Sequence, residues 1–143
     1  MSAIGTAYIV PRDMVAAFLA GRCNWSTLVA GADRVKYGYS GWVLGTLDAY
    51  LDAQGIALGT SSANEALNQR REVACMALEP SHRRYLERLV PERFDSSALR
   101  AFYETFTETQ AEGVEAAMLA GIQFYADTLA RLPDDSVAIV EVG

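Results

Sequence analysis

A single histidine and two cysteines leave this chain short of the side chains that metal and nucleophile chemistry usually requires. With His82 as the one imidazole, no zinc site of ordinary ligand type can be assembled. The sequence also has no G-x-x-x-x-G-K phosphate loop, no G-x-G-x-x-G turn after a strand, no G-x-S-x-G elbow and no H-E-x-x-H helix. No metal and no cofactor is expected. A Ser-His-Asp triad would have to use His82, whose place in Ser81-His82-Arg83-Arg84 at a helix start reads as a solvated first-turn residue. Cys23 and Cys75 are too few for the disulfide framework of a small secreted scaffold. Their apolar neighbours (Leu19 and Trp25 for one, Val73 and Met76 for the other) suit buried free thiols.

Positive charge is scarce too. Lys and Arg number 12 against 18 Asp and Glu, a formal net charge of −6. Binding to nucleic acid is driven by counterion release onto clustered Lys and Arg, so this balance argues against such a partner. The densest basic patches, Arg70–Arg71 and His82–Arg84, sit among Glu65, Glu72, Glu79 and Glu87 and read as charge pairs on solvated helix faces. No uncharged apolar run approaches the roughly 20 residues that span a bilayer. The first ten residues carry no Lys or Arg, whereas a signal peptide opens on a basic region, and Arg22 spoils a lipoprotein-like Leu19–Cys23. The expected location is the cytoplasm.

What is abundant is core material. Of 143 residues, 51% are apolar and 10% aromatic, enough for one packed domain and too much for a disordered chain. Ala3–Val10 is β-branched and aromatic, with near-continuous apolarity that predicts a strand buried on both faces, closed by Pro11. Met14, Val15, Phe18 and Leu19 then mark a helix that Pro11 opens and Gly21 ends. Asn24 caps a brief helical turn, and Ala32–Tyr39 reads as loop. Gly41–Ala53 reads as a helix in which Gly45 signals a close approach, because glycine there costs about 1 kcal/mol against alanine. Ile56–Ala63 is a small-residue loop, suited to a mobile segment beside a site. Ser62 and Glu65 form a capping box for the next helix. Glu72–Leu78 fits either a helix or a short strand. Pro80-Ser81 opens a helix with Tyr85, Leu86 and Leu89 on its buried face. Asp95 or Ser96 caps another through Phe106, and Thr109 with Glu112 caps the longest, ending near Leu132. Ser136–Val142 is a terminal strand. Strands at both ends with helices between imply an α+β domain whose small sheet contains both terminal strands, packed by four or more helices.

One stretch concentrates the unusual residues. Lys36–Leu51, KYGYSGWVLGTLDAYL, holds Tyr37, Tyr39, Trp42 and Tyr50 with three glycines among them. Rings beside residues without side chains make either a tight helix contact or a pocket wall, and both readings stay open. Asp48 borders the apolar stripe of Leu44, Leu47 and Leu51. Facing inward, it would have a raised pKa and could act as a general acid or base; facing outward, it is an ordinary surface carboxylate.

The two ends carry a resemblance. MSAIGTAYIVPRDMVAAFL resembles the opening of the YfbM-like proteins, a bacterial family of unknown function, as does ERLVPERFDSSALRAFYETF to an inner segment and GIQFYADTLARLPDDSVAIVEV to their last helix and strand. The resemblance implies a strand ahead of Pro80, which favours that reading of Glu72–Leu78. The family's Trp, Leu-His-Phe-like element is reduced here to Trp42-Val43-Leu44-Gly45-Thr46, without the histidine, and no functional residue carries over. Two functions are compatible with these residues. One is a binding module for a small apolar or aromatic ligand, or for a protein partner such as a basic toxin that an acidic surface would attract. The other is a cofactor-independent cyclase or isomerase using Asp48 and a tyrosine.

Overall fold

In the computed structural model, which describes residues 4–143, four antiparallel strands form one sheet in the order β2-β1-β4-β3. These are β1 (Ile4–Pro11), β2 (Asp33–Ser40), β3 (Ala74–Leu78) and β4 (Ser136–Val142). The terminal strands are the central pair, in register from Gly5 opposite Val142 to Pro11 opposite Ser136. Ile4 and Gly143 close the ladder with reciprocal backbone hydrogen bonds of 3.1 and 3.0 Å. Their apolar composition follows from that position, since helices cover both faces and leave Ala7, Ala138 and Ile139 without solvent contact.

Six α-helices are described: α1 (Arg12–Leu19), α2 (Trp25–Val29), α3 (Trp42–Ala53), α4 (Asn64–Arg70), α5 (Ser96–Thr107) and α6 (Val114–Arg131). Helices α3, α5 and α6 build one core layer around Leu44, Leu47, Leu99, Met118 and Ile122. Helices α1, α2 and α4 build the other around Val15, Phe18, Leu28 and Leu67. The fold is α+β, as expected, and none of its described helices is long and apolar enough to cross a membrane. Two of the expected caps are present. Asn24 accepts the Thr27 N–H at 2.8 Å and Asp95 that of Ser97 at 3.0 Å.

Several local readings need correction. Ala32–Tyr39 is not a loop, because residues from Asp33 onward form edge strand β2. Val35 and Tyr37 point into the core while Arg34 and Lys36 point out. Glu72–Leu78 does become a strand, from Ala74. The segment after Pro80 is a 3-10 turn, Pro80–Tyr85, rather than an α-helix, and His82 within it is buried, not solvated. Its Nδ1 accepts the Glu79 N–H at 2.9 Å, so Nε2 carries the proton and donates to Thr60 Oγ1 at 2.8 Å. Burial lowers its pKa. Neither capping box forms as expected. Ser61, not Ser62, accepts a backbone N–H near the start of α4, that of Ala63. Helix α6 begins only at Val114, after Gly113 in the left-handed region at φ 75°. Arg71 is no solvated face residue either; it pairs with Glu141 of β4 at 2.6 Å and stacks 4.0 Å over Trp25.

The outer edge of β3 is occupied from within the chain. Asn68 of α4 accepts the Cys75 N–H at 2.9 Å and donates to the Cys75 carbonyl at 2.8 Å. Asn64, one turn earlier, accepts the Ala77 N–H at 2.7 Å. Two side-chain amides thus take the places that a further strand would fill.

Candidate functional site

The position of α3 depends on Gly41. A Cβ there would lie 2.9 Å from Val142 Cγ1 and 3.2 Å from the Gly5 nitrogen, so only glycine lets the corner between β2 and α3 rest on the ends of the central strands. Further along α3, the expectation for Gly45 is reversed. Nothing lies within 4 Å of the Cβ it lacks. Its bare backbone opens onto a cleft of about 240 Å³ between α3, α6 and the β4–β3 side of the sheet. Met76, Val140 and Val142 supply apolar walls, and Trp42, 65% exposed, stands at the rim.

Asp48 lies three residues after Gly45, on the same helix face. The missing side chain at 45 therefore leaves the Asp48 carboxyl exposed to the cleft. Tyr125 of α6, itself fully buried, donates its hydroxyl to Asp48 Oδ1. Among the described residues no cationic group lines this cleft. Burial without a cation to offset it raises the Asp48 pKa to about 7, against the lowering effect of the tyrosine hydrogen bond. Burial, and after it the neighbouring Asp48 carboxyl, hold Tyr125 well above the ordinary tyrosine range. Near neutral pH the carboxyl is poised between its two protonation states. Cys75 borders the cleft as a free thiol, pushed up to about 11 by burial and by the nearby Glu141 carboxylate.

The four aromatic residues of the Lys36–Leu51 stretch do not share one site. Tyr37 is core, its ring 5.7 Å from Phe124 and its hydroxyl donating to the Ala117 carbonyl at 2.5 Å. Burial raises its pKa. Tyr39 is half exposed on β2, 6.0 Å from the Tyr37 ring. Tyr50 packs edge-on against Phe102 at 5.2 Å and borders a different, more polar pocket with Arg88 and Arg93. Only Trp42 and Asp48 meet at the cleft. The loop after α3 lies outside it, with Ile56 and Leu58 buried and Thr60 held by His82.

Tyr125 is the participant that sequence reasoning missed. It sits in the buried stripe of α6 among Ile122 and Leu129, where a ring reads as core, and 77 residues separate it from Asp48. Its only signal is that a buried tyrosine must find a partner for its hydroxyl. Among the described residues no group of three or more His, Cys, Asp or Glu could hold a metal ion.

No protein-family model and no curated protein matches the chain. Among solved structures it is similar to YfbM from Escherichia coli, a protein of unknown function, over 98% of this chain and 99% of that one, with 13% identity and a TM-score of 0.51. At that identity the likeness is one of fold and carries no activity. The chain has a YfbM-like fold, the resemblance that its two ends show in sequence.

Proposed function

We propose that this is a cytoplasmic protein that binds a small, mainly apolar molecule in the cleft beside Gly45, with Asp48 as its single polar anchor. The observation that carries this reading is the vacancy at Gly45. A residue that costs helix stability stands where no neighbour requires it, and its effect is to open an apolar recess onto a carboxyl group. A recess of about 240 Å³ suits a ligand of one ring or a short chain. Trp42 at the rim offers a ring face to such a molecule and a fluorescence signal to the experimenter.

Titration with benzyl alcohol, followed by tryptophan emission and by calorimetry, tests the reading. The expected result is saturable binding that Gly45→Leu removes without loss of thermal stability, since the new side chain enters empty space. Equal binding by the Gly45→Leu protein, or no saturable binding by the parent, overturns it.

A second reading, an acid–base enzyme such as an isomerase, draws on the Asp48–Tyr125 contact. A carboxyl with a pKa of about 7 is matched to proton transfer at neutral pH. Under that reading Asp48→Asn lowers turnover of a substrate by about 10²–10⁴, whereas simple binding of a neutral ligand survives the change.

A further inference from the structure

Resting on the reading that the Gly45 cleft takes a small apolar ligand, we infer that its preferred ligand carries a protonated amine, which completes an ion pair that the described residues leave unfinished at Asp48. The cleft walls contributed by Met76, Val140 and Val142 cannot solvate a carboxylate. Tyr125 satisfies one carboxyl oxygen and supplies no charge. The titratable groups around Asp48 are Tyr125 from α6, with Tyr37 of β2 behind it, and Cys75 from β3. None of these is a cation at neutral pH. Arg71, which acts on Cys75 at the border of the cleft, is already paired with Glu141. The site thus offers an anion, a hydrogen-bond acceptor and a ring face at its rim, and among the described residues it lacks only the positive partner that a buried carboxylate requires.

An alkyl- or arylammonium ion supplies that partner. Its N–H donates to the free carboxyl oxygen, its apolar body lies along the valine and methionine walls, and the proton held by Asp48 in the empty cleft leaves for solvent. One proton is released for each amine bound to the protonated carboxyl, and none where Asp48 is already ionised. Because burial, partly offset by the Tyr125 hydrogen bond, raises Asp48 to about 7, this exchange falls inside the accessible pH range. Affinity for the amine then rises as pH increases through that value and levels off above it, while affinity for an uncharged analogue of the same shape is flat or declines.

The test compares benzylamine with benzyl alcohol by calorimetry on the full chain, at about pH 6 and about pH 8, in two buffers of different ionisation heat. Expected is a preference for benzylamine of about tenfold or more at the higher pH, the margin of a charge-assisted over a neutral hydrogen bond. Net proton release is expected at the lower pH. Asp48→Asn, which keeps an acceptor for Tyr125, should bring the two ligands to equal affinity without abolishing either. Equal affinities in the parent protein at both pH values overturn the amine inference and leave the cleft reading intact. Failure of both probes to bind overturns the cleft reading and this inference with it. An amine preference that persists in Asp48→Asn also overturns it, because the selectivity would then arise from another group.

Discussion

Gly45 of α3 and Gly121 of α6 are both glycines in mid-helix, both beside Leu44, and their surroundings are opposite. At Gly121 a Cβ would stand 2.5 Å from Leu47 Cδ2 and 3.3 Å from Leu44 Cδ2, so the glycine is the condition for α3 and α6 to approach. At Gly45 there is open space. The same helix pair is therefore closed where one glycine is crowded and open where the other is not. Helix propensity penalises both equally, by about 1 kcal/mol relative to alanine. Packing offsets the cost at Gly121. At Gly45 no contact offsets it, and the return is a recess with a carboxyl in it.

Substitutions should separate the two positions. The largest effect is expected for Gly121→Ala, which gains helix propensity but forces a methyl group against fully buried Leu47; the net loss should be about 2 kcal/mol by urea unfolding. A stabilised Gly121→Ala protein would show that the contact can relax and that the two glycines do not differ.

Asp48→Asn comes next and has the opposite sign. The Asp48 pKa rises from an ordinary 3.8 to about 7 on folding, so the folded state holds the proton more tightly than the unfolded chain. Its stabilising contribution is present below the lower value, declines as pH rises between the two, and is gone above the upper one. Asparagine cannot ionise. The variant should gain about 1–2 kcal/mol at about pH 8, after allowance for solvent at the cleft mouth, and little at about pH 4. A gain independent of pH would mean that the carboxyl is not desolvated.

Gly45→Ala should stabilise by up to about 1 kcal/mol, since the methyl group enters free space on a helix. A destabilised variant would remove the contrast between the two glycines. Trp42→Ala should change stability least, within about 0.5 kcal/mol, because the ring is 65% exposed. A thermal shift of several degrees would place that ring in the core rather than at a rim.

The legible parts of this fold are those where burial is complete. β1 and β4 could be read from their composition because a strand covered on both faces has few polar residues to confuse the pattern. The stripe of α6 was clear for the same reason. β2 was hidden because it is an edge, where only Val35 and Tyr37 need to be apolar and Asp33, Lys36 and Gly38 dilute the alternation. His82 was misread because a buried imidazole held by Thr60 and the Glu79 backbone looks, in sequence, like any first-turn residue. At the cleft, the aromatic and glycine content drew attention to α3, which lines it, and Asp48 stood out at the margin of its stripe. The use of Gly45 was inverted, because a glycine in a helix pattern signals that a side chain is unwanted without saying whether the space is filled. Tyr125 was out of reach, since the contact that gives it meaning spans 77 residues.

Asn64 and Asn68 have a consequence for how copies of this chain can meet. Three outward hydrogen-bonding groups of β3, the Cys75 N–H and carbonyl and the Ala77 N–H, are taken by α4, so among the described residues β2 is the margin better suited to a strand from outside. A sheet with one such margin can take on a single neighbour of its own kind and must then stop. Edge pairing between copies would end at two, and the fold carries its own brake against fibres, set by two amides in a helix of seven residues.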